Sequence, residues 1–320
     1  GIWTMKEVAD AVKGGYWPNA GARGLFGGGQ APSFSNVIDY ITITTTGNAT
    51  DFGNLTRTDA NIAGIASFTR GFFCGGDEPS GYSDVIDYVT IVTTGNASDF
   101  GDLTTSRGAF AAVSNSVRGI GAGGSIPGGN QSDILDYFQM ASAGDATDFG
   151  DLTDSRINMG STSSPTRGLF AAGDDPTKKD TIDYITIAST GDAADFGNLT
   201  QAQSGTNGCS SSTRGVFGGG YTPTYHTVID YITMASTGNA IDYGDLTVQC
   251  QAVGSLSNSR RGVWGGGRNP SGNVIDYITI ATGGAAIDFG DLSIDRDNLA
   301  GGASNAHGGL NDGNQGAVDT

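Results

Sequence analysis

Only two histidines, His226 and His307, two glutamates, Glu7 and Glu78, and three cysteines occur among the 320 residues. So few histidines argue against a histidine-based metal site. Cys74, Cys209 and Cys250 show no CxxC or His-paired spacing and read as small core residues. No metal and no cofactor is therefore expected. Scarce Glu beside abundant Asp points to turns rather than helices. No run of about 18 apolar residues is present, nor a basic-then-apolar leader, so the chain reads as soluble and without membrane insertion. Its opening Gly rather than Met suggests a processed product or a piece of something longer. Positive charge is also scarce: 16 Lys and Arg face 33 Asp and Glu, a formal net charge of −17 that repels nucleic-acid phosphates. Glycine is abundant at 54 residues, and it recurs at fixed places between apolar segments, which argues for tight turns in a packed fold rather than disorder.

The recurrence is an internal repeat. Aligning on Ile/Leu-Asp-Tyr places Tyr40, Tyr88, Tyr137, Tyr184, Tyr231 and Tyr277 at separations of 46 to 49 residues, giving six units. An Asp-Phe/Tyr-Gly triplet keeps step at Asp51, Asp99, Asp148, Asp195, Asp242 and Asp288, as does an Arg-Gly pair at Arg23, Arg70, Arg118, Arg167, Arg214 and Arg261. A kinase Asp-Phe-Gly occurs once beside its other signatures, and a phosphate loop ends in Gly-Lys-Ser/Thr before a helix, so neither reading fits. One unit holds four short β runs, 61–68, 70–75, 84–92 and 98–103, in positions a, b, c and d. Four strands at this period are the signature of a β-propeller blade, because a lone four-stranded sheet cannot bury both faces until it is stacked in a ring. The expectation is an all-β, six-bladed propeller over 21–310, with a tail at 311–320. The first unit begins at strand b, and a further strand a, about 298–305, follows the last. That strand is expected to complete blade one, with His307 at the arginine position.

These residues resemble kelch-type propellers, whose repeat has a glycine pair ending strand b, a tyrosine in strand c and an aromatic in strand d; here Gly75-Gly76, Tyr88 and Phe100 and their counterparts match. Phe or Tyr stands where kelch repeats commonly have Trp, so the resemblance is kelch-like. Copper-radical oxidase chemistry, also hosted by kelch folds, needs more histidines than are present. Residues 1–20 differ. Thr4 and Glu7 have capping-box spacing, Trp3 and Val8 are spaced as a hydrophobic staple, Met5, Val8, Ala9 and Val12 share a face, and Gly14 is a stop, which predicts a short amphipathic helix. With "GGYWP" this segment is similar to a junction module of virion structural and tail-fibre proteins of tailed bacteriophages, where Gly-rich propeller repeats also occur.

In a four-stranded meander the b–c and d–a connections share one face, the loop face, and the a–b and c–d turns share the other, the turn face. The c–d turns are nearly constant, whereas the b–c loops share little beyond a proline. Variation confined to one face is what recognition on a rigid scaffold would show, and unconstrained loop tips would vary in the same way. Candidate ligand-binding residues on the loop face are Phe34, Glu78, Tyr82, Lys178, Lys179, Tyr221, Tyr225, His226 and Arg268. The d–a connections add Arg57, Arg107, Arg156 and Arg296, a broken basic ring that could hold an anion. The six Arg-Gly arginines and six Asp-Phe-Gly aspartates are expected to be scaffold, because a blade-to-blade tie must repeat. The Asn-Ala-Thr/Ser phrases alternate with Asp, so they read as turn chemistry rather than glycosylation.

The resemblance implies a non-enzymatic virion protein on the particle surface, a tail fibre or appendage, with no catalytic residues. Its expected partners are a host surface glycan or receptor, other virion proteins through the N-terminal helix, and further copies in a homo-oligomer, with no nucleic acid. The alternative is a sialidase-like propeller glycosidase, which needs two facing carboxyl groups or a Tyr-carboxylate pair, with one proton donor of raised pKa. Glu78 is the one Glu outside the expected helix.

Overall fold

In the computed structural model, residues 22–30, 32–268, 272–299 and 301–310 are described. The expected N-terminal helix and the 311–320 tail lie outside them. The described chain is a six-bladed β-propeller of antiparallel four-stranded blades, the fourth carrying one extra two-residue strand, Asp174–Asp175. Blade two runs Ala63–Ala66, Arg70–Glu78, Gly81–Thr90 and Ser98–Asp102 in positions a to d. Blade one is built from Gly301–Ser304, Arg23–Gly27, Ser35–Thr42 and Thr50–Asp59, in that spatial order. Its innermost strand thus comes from the far end of the chain, pairing Leu25 with Ala303.

The apolar residues lie in six layers between blades. One layer packs Phe72 and Phe100 of blade two against Phe138 of blade three, with Phe72 centroid distances of 4.9 and 5.3 Å. The layer between blades six and one holds Phe26, Ile43, Val263 and Phe289. A blade buries its apolar faces only when both neighbours are present, which is why the repeat must be stacked.

Polar groups of the repeat fasten these layers. Each Arg-Gly arginine lies over the tyrosine of its own blade, Arg23 over Tyr40 and Arg118 over Tyr137 at 4.6 and 4.7 Å. Its Nη1 donates to a carbonyl of the next blade: Arg23 to Ile91, Arg70 to Met140, Arg118 to Ile187, Arg167 to Met234, Arg214 to Ile280 and Arg261 to Ile43. The Phe of Asp-Phe-Gly accepts from the turn glycine of the next blade, as in Gly95 N–H to Phe52 O at 2.8 Å, and a Cβ on Gly53 would lie 2.4 Å from Gly95 O. That close approach explains the glycine of the triplet.

Around the axis the last residues of the innermost strands form a hydroxyl ladder. Ser114 donates to Ala66 O, Ser163 to Ser114 O, Ser210 to Ser163 O, Ser257 to Ser210 O and Ser304 to Ser257 O, at 2.5–3.0 Å. His307 does not take the arginine position. After Ser304 the chain turns to the channel mouth instead of continuing outward, and His307 Nε2 meets Ala66 O at 2.9 Å while its Nδ1 accepts from Gly309 N–H at 3.1 Å. A Cβ on Gly309 would lie 2.0 Å from Ser114 O, so glycine lets this segment seat.

Candidate functional site

The apolar run containing Ile-Asp-Tyr carries the first decisive group. Asp39, Asp87, Asp136, Asp183, Asp230 and Asp276 are all buried. Each carboxylate accepts from a Thr or Ser of the preceding blade, with Oγ–Oδ distances of 2.6–2.8 Å for Thr56, Thr104, Thr153, Thr200, Thr247 and Ser293. An aspartate recurring six times inside an apolar run was the signal in the sequence, and its burial is what the sequence reading missed. The Asp-Phe-Gly aspartates, by contrast, are exposed on the outer strands. Asp99 and Asp288 accept from the glycine amide of their own triplet, a local role within the blade.

Three of the arginines expected to form a basic ring are fully buried. Arg107 pairs with Asp136, Arg156 with Asp183 at 2.5 Å and Arg296 with Asp39 at 2.7 Å. Each also donates to backbone carbonyls, as Arg156 does to Ala172 O and Thr181 O. Their charge is consumed between blades, so they offer no anion site on the surface. The reason is positional: three residues after the Thr/Ser, the side chain turns into the seam and meets the buried carboxylate.

That position varies. Asp59 occupies it before blade two, and Arg57 reaches back to it, 2.5 Å from Asp59, 3.4 Å from Glu78 and 3.6 Å from Asp87. Burial, with Glu78 and Asp87 adding to it against the opposing pull of Arg57, raises the Asp59 carboxyl to about 7. A glycosidase acid would have such a pKa, but Asp59 is wholly shielded from solvent and cannot meet a substrate. Glu78 and Tyr82 lie in the paired strands Arg70–Glu78 and Gly81–Thr90, a hairpin rather than a loose loop.

Before blade five the position holds Gln203, and before blade six Cys250, both buried. Burial raises the pKa of Asp230 and of Asp276, the buried carboxyls of these two blades. In blade five a second exchange accompanies the first. His226 stands where blades one to three have Ser35, Ser83 and Ser132, whose hydroxyls accept from an amide two residues on. Gln201 Nε2 lies 3.2 Å from His226 Nε2 and 3.4 Å from Gln203 Oε1. Gly220 leaves room for this, since a Cβ there would be 2.9 Å from both Gln203 and His226.

Above this neutral pair sits an aromatic cluster. Tyr221 and Tyr225 have ring centroids 5.6 Å apart, and Lys178 Nζ is 4.7 Å from the Tyr221 centroid. Lys178 also donates to Asp174 at 2.8 Å and to Ser204 at 3.0 Å. Lys178, Tyr221, Tyr225 and His226 are thus brought together at the seam of blades four and five. Phe34, Tyr82 and Arg268 belong to blades one, two and six, and Lys179 reaches only Asp154, at 3.5 Å. The central channel holds a cavity of about 70 Å³ that includes Ser114, Cys209 and His307 in its wall. It has room for a few waters rather than a sugar.

No protein-family model and no curated protein matches the chain. The site therefore has to be interpreted from its chemistry. Among the described residues no group of three His, Cys, Asp or Glu could hold a metal ion, and burial raises the thiols of Cys74, Cys209 and Cys250 well above the ordinary range. A buried thiol of raised pKa is a packing residue, not a nucleophile.

Proposed function

We propose that this chain is a non-enzymatic recognition module of a virion, kelch-like in its repeat, whose loop face binds a host surface glycan. The observation that carries the reading is the gathering of Lys178, Tyr221, Tyr225 and His226 on the variable face, at a seam where the repeat gives up its structural arginine and serine together. Aromatic groups of this kind stack on sugars or anchor protein contacts. Polarity of the ring supports the same reading. Arg23 begins its strand, and residues 305–310 seat, on the turn face, opposite the variable loops. The phage-like junction phrase at residues 1–20 supplies the virion part of the proposal.

The test is a glycan array probed with the wild-type chain and with the Tyr221→Ala/Tyr225→Ala double variant. Retention on a subset of glycans, lost in the double variant, is expected. Absence of retention on every glycan would overturn the reading and favour contact with another virion protein.

A further inference from the structure

Resting on the recognition reading of the loop face, we infer that the ligand is a neutral, hydroxyl-rich glycan seated on Tyr225 and Tyr221 with Gln201 as a polar contact, and not a sialylated, uronate-bearing or sulfated one. The local charge argues this way first. Lys178 is the cation nearest the rings, and its ammonium is already engaged by Asp174, Ser204 and the Tyr221 face. The hairpin 174–180 that carries it has three aspartates and two lysines, a net charge of −1 on a chain of −17. An anionic sugar would have to displace Asp174 and enter a negative field.

The floor is uncharged as well. Gln203, not arginine, fills the seam, and Gln201 has amide donors beside the half-buried His226. Burial lowers the His226 pKa, which favours the uncharged ring. Gln201 is half-exposed at the edge of this floor, and with its amide N–H groups turned to His226 and Gln203 its carbonyl oxygen is left to accept from a sugar hydroxyl. Tyr225 is half-exposed, and Lys178 lies on Tyr221 rather than on it. An aromatic face beside neutral donors and acceptors suits the CH-rich face and hydroxyl rim of a hexose, whereas an acidic sugar needs a free guanidinium or ammonium.

The experiment is an array of neutral hexose oligosaccharides beside sialylated, uronate and sulfated ones, read at low and high salt. Retention on neutral glycans, unchanged by salt, is expected, and Tyr225→Ala and Gln201→Ala should each weaken it about tenfold. Phe34→Ala, on blade one, should bind like the wild type, and thermal melts should show every variant folded. A preference for acidic glycans that fades with salt, or unaltered binding by Tyr225→Ala, would overturn the inference while leaving glycan recognition standing. Silence across the whole array would instead remove the recognition reading, and this inference with it.

Discussion

Asp136 and Asp230 hold the same place in the repeat and differ in what faces them. Asp136 meets the buried Arg107, whereas Asp230 accepts only from Thr200 among its hydrogen bonds, Gln203 standing at the arginine's place in the repeat. Replacing Asp136 with Asn would strand a buried guanidinium, and a loss of about 3–5 kcal/mol in urea unfolding is expected. Asp230→Asn removes a buried carboxylate that has no arginine beside it, so at neutral pH its stability should stay within about 1 kcal/mol of the wild type. Equal losses in the two variants would contradict the assignment. Arg118 gives a third case, because it lies over Tyr137 and donates to Ile187 O of the next blade. Arg118→Ala should cost about 1–2 kcal/mol, one cation–π contact and one hydrogen bond, with glycan retention unchanged.

At the scale of the element, the strand Thr50–Asp59 shows what happens when the arginine is displaced along its segment. Arg57 is shared among Asp59, Glu78 and Asp87, and the Asp59 pKa rises to about 7. The folded form therefore holds this proton more tightly than the unfolded chain, whose value is near 3.8. Asp59 favours folding most when protonated, and that contribution is lost as pH rises from about 4 through about 7. The difference in unfolding free energy between wild type and Asp59→Asn, followed by urea titration across this window, should move by a few kcal/mol, on the order of 1.4 per pKa unit. A difference that stays flat with pH would refute the placement. The short segment before each innermost strand imposes a different strain: Asn61, Ala109, Asn158, Ala252 and Asn298 all have φ of 51–56°. Their amides and carbonyls link blade to blade, Ala252 N–H to Gly205 O and on through Asn158, Ala109 and Asn61 to Asn298 O. Asn accepts the left-handed region readily and Ala does not, so the hydrogen-bonded spiral, not local preference, holds the two alanines there.

For the whole molecule, the pairing of Gly301–Ser304 with Arg23–Gly27 makes one blade depend on both ends of the chain. Removing residues 298–320 should lower the melting temperature of the entire ring, since it uncovers an edge of blade one and opens the channel wall. A truncated chain melting like the full one would show that this strand is dispensable. The sequence by itself determined the number of blades, because Tyr and Asp-Phe-Gly recur at a constant period and a four-stranded unit has to be stacked to bury Phe72 or Phe100. It also determined that Arg23 and its equivalents are scaffold, since six equal positions form six equal seams. Only the tertiary structure decided where Arg107, Arg156 and Arg296 point. They lie in connections without the two-residue alternation that assigns a side to each strand residue, so their burial depends on meeting Asp136, Asp183 and Asp39 from another unit. His307 likewise became a channel residue only because the innermost strands leave a mouth in which Ala66 O, already accepting from Ser114, takes the imidazole as a second donor. The convergence of Lys178 with Tyr221, Tyr225 and His226, more than forty residues apart in the chain, follows from the same cause: stacking in a ring sets loops of neighbouring blades side by side, and no spacing within one repeat records which of them will touch.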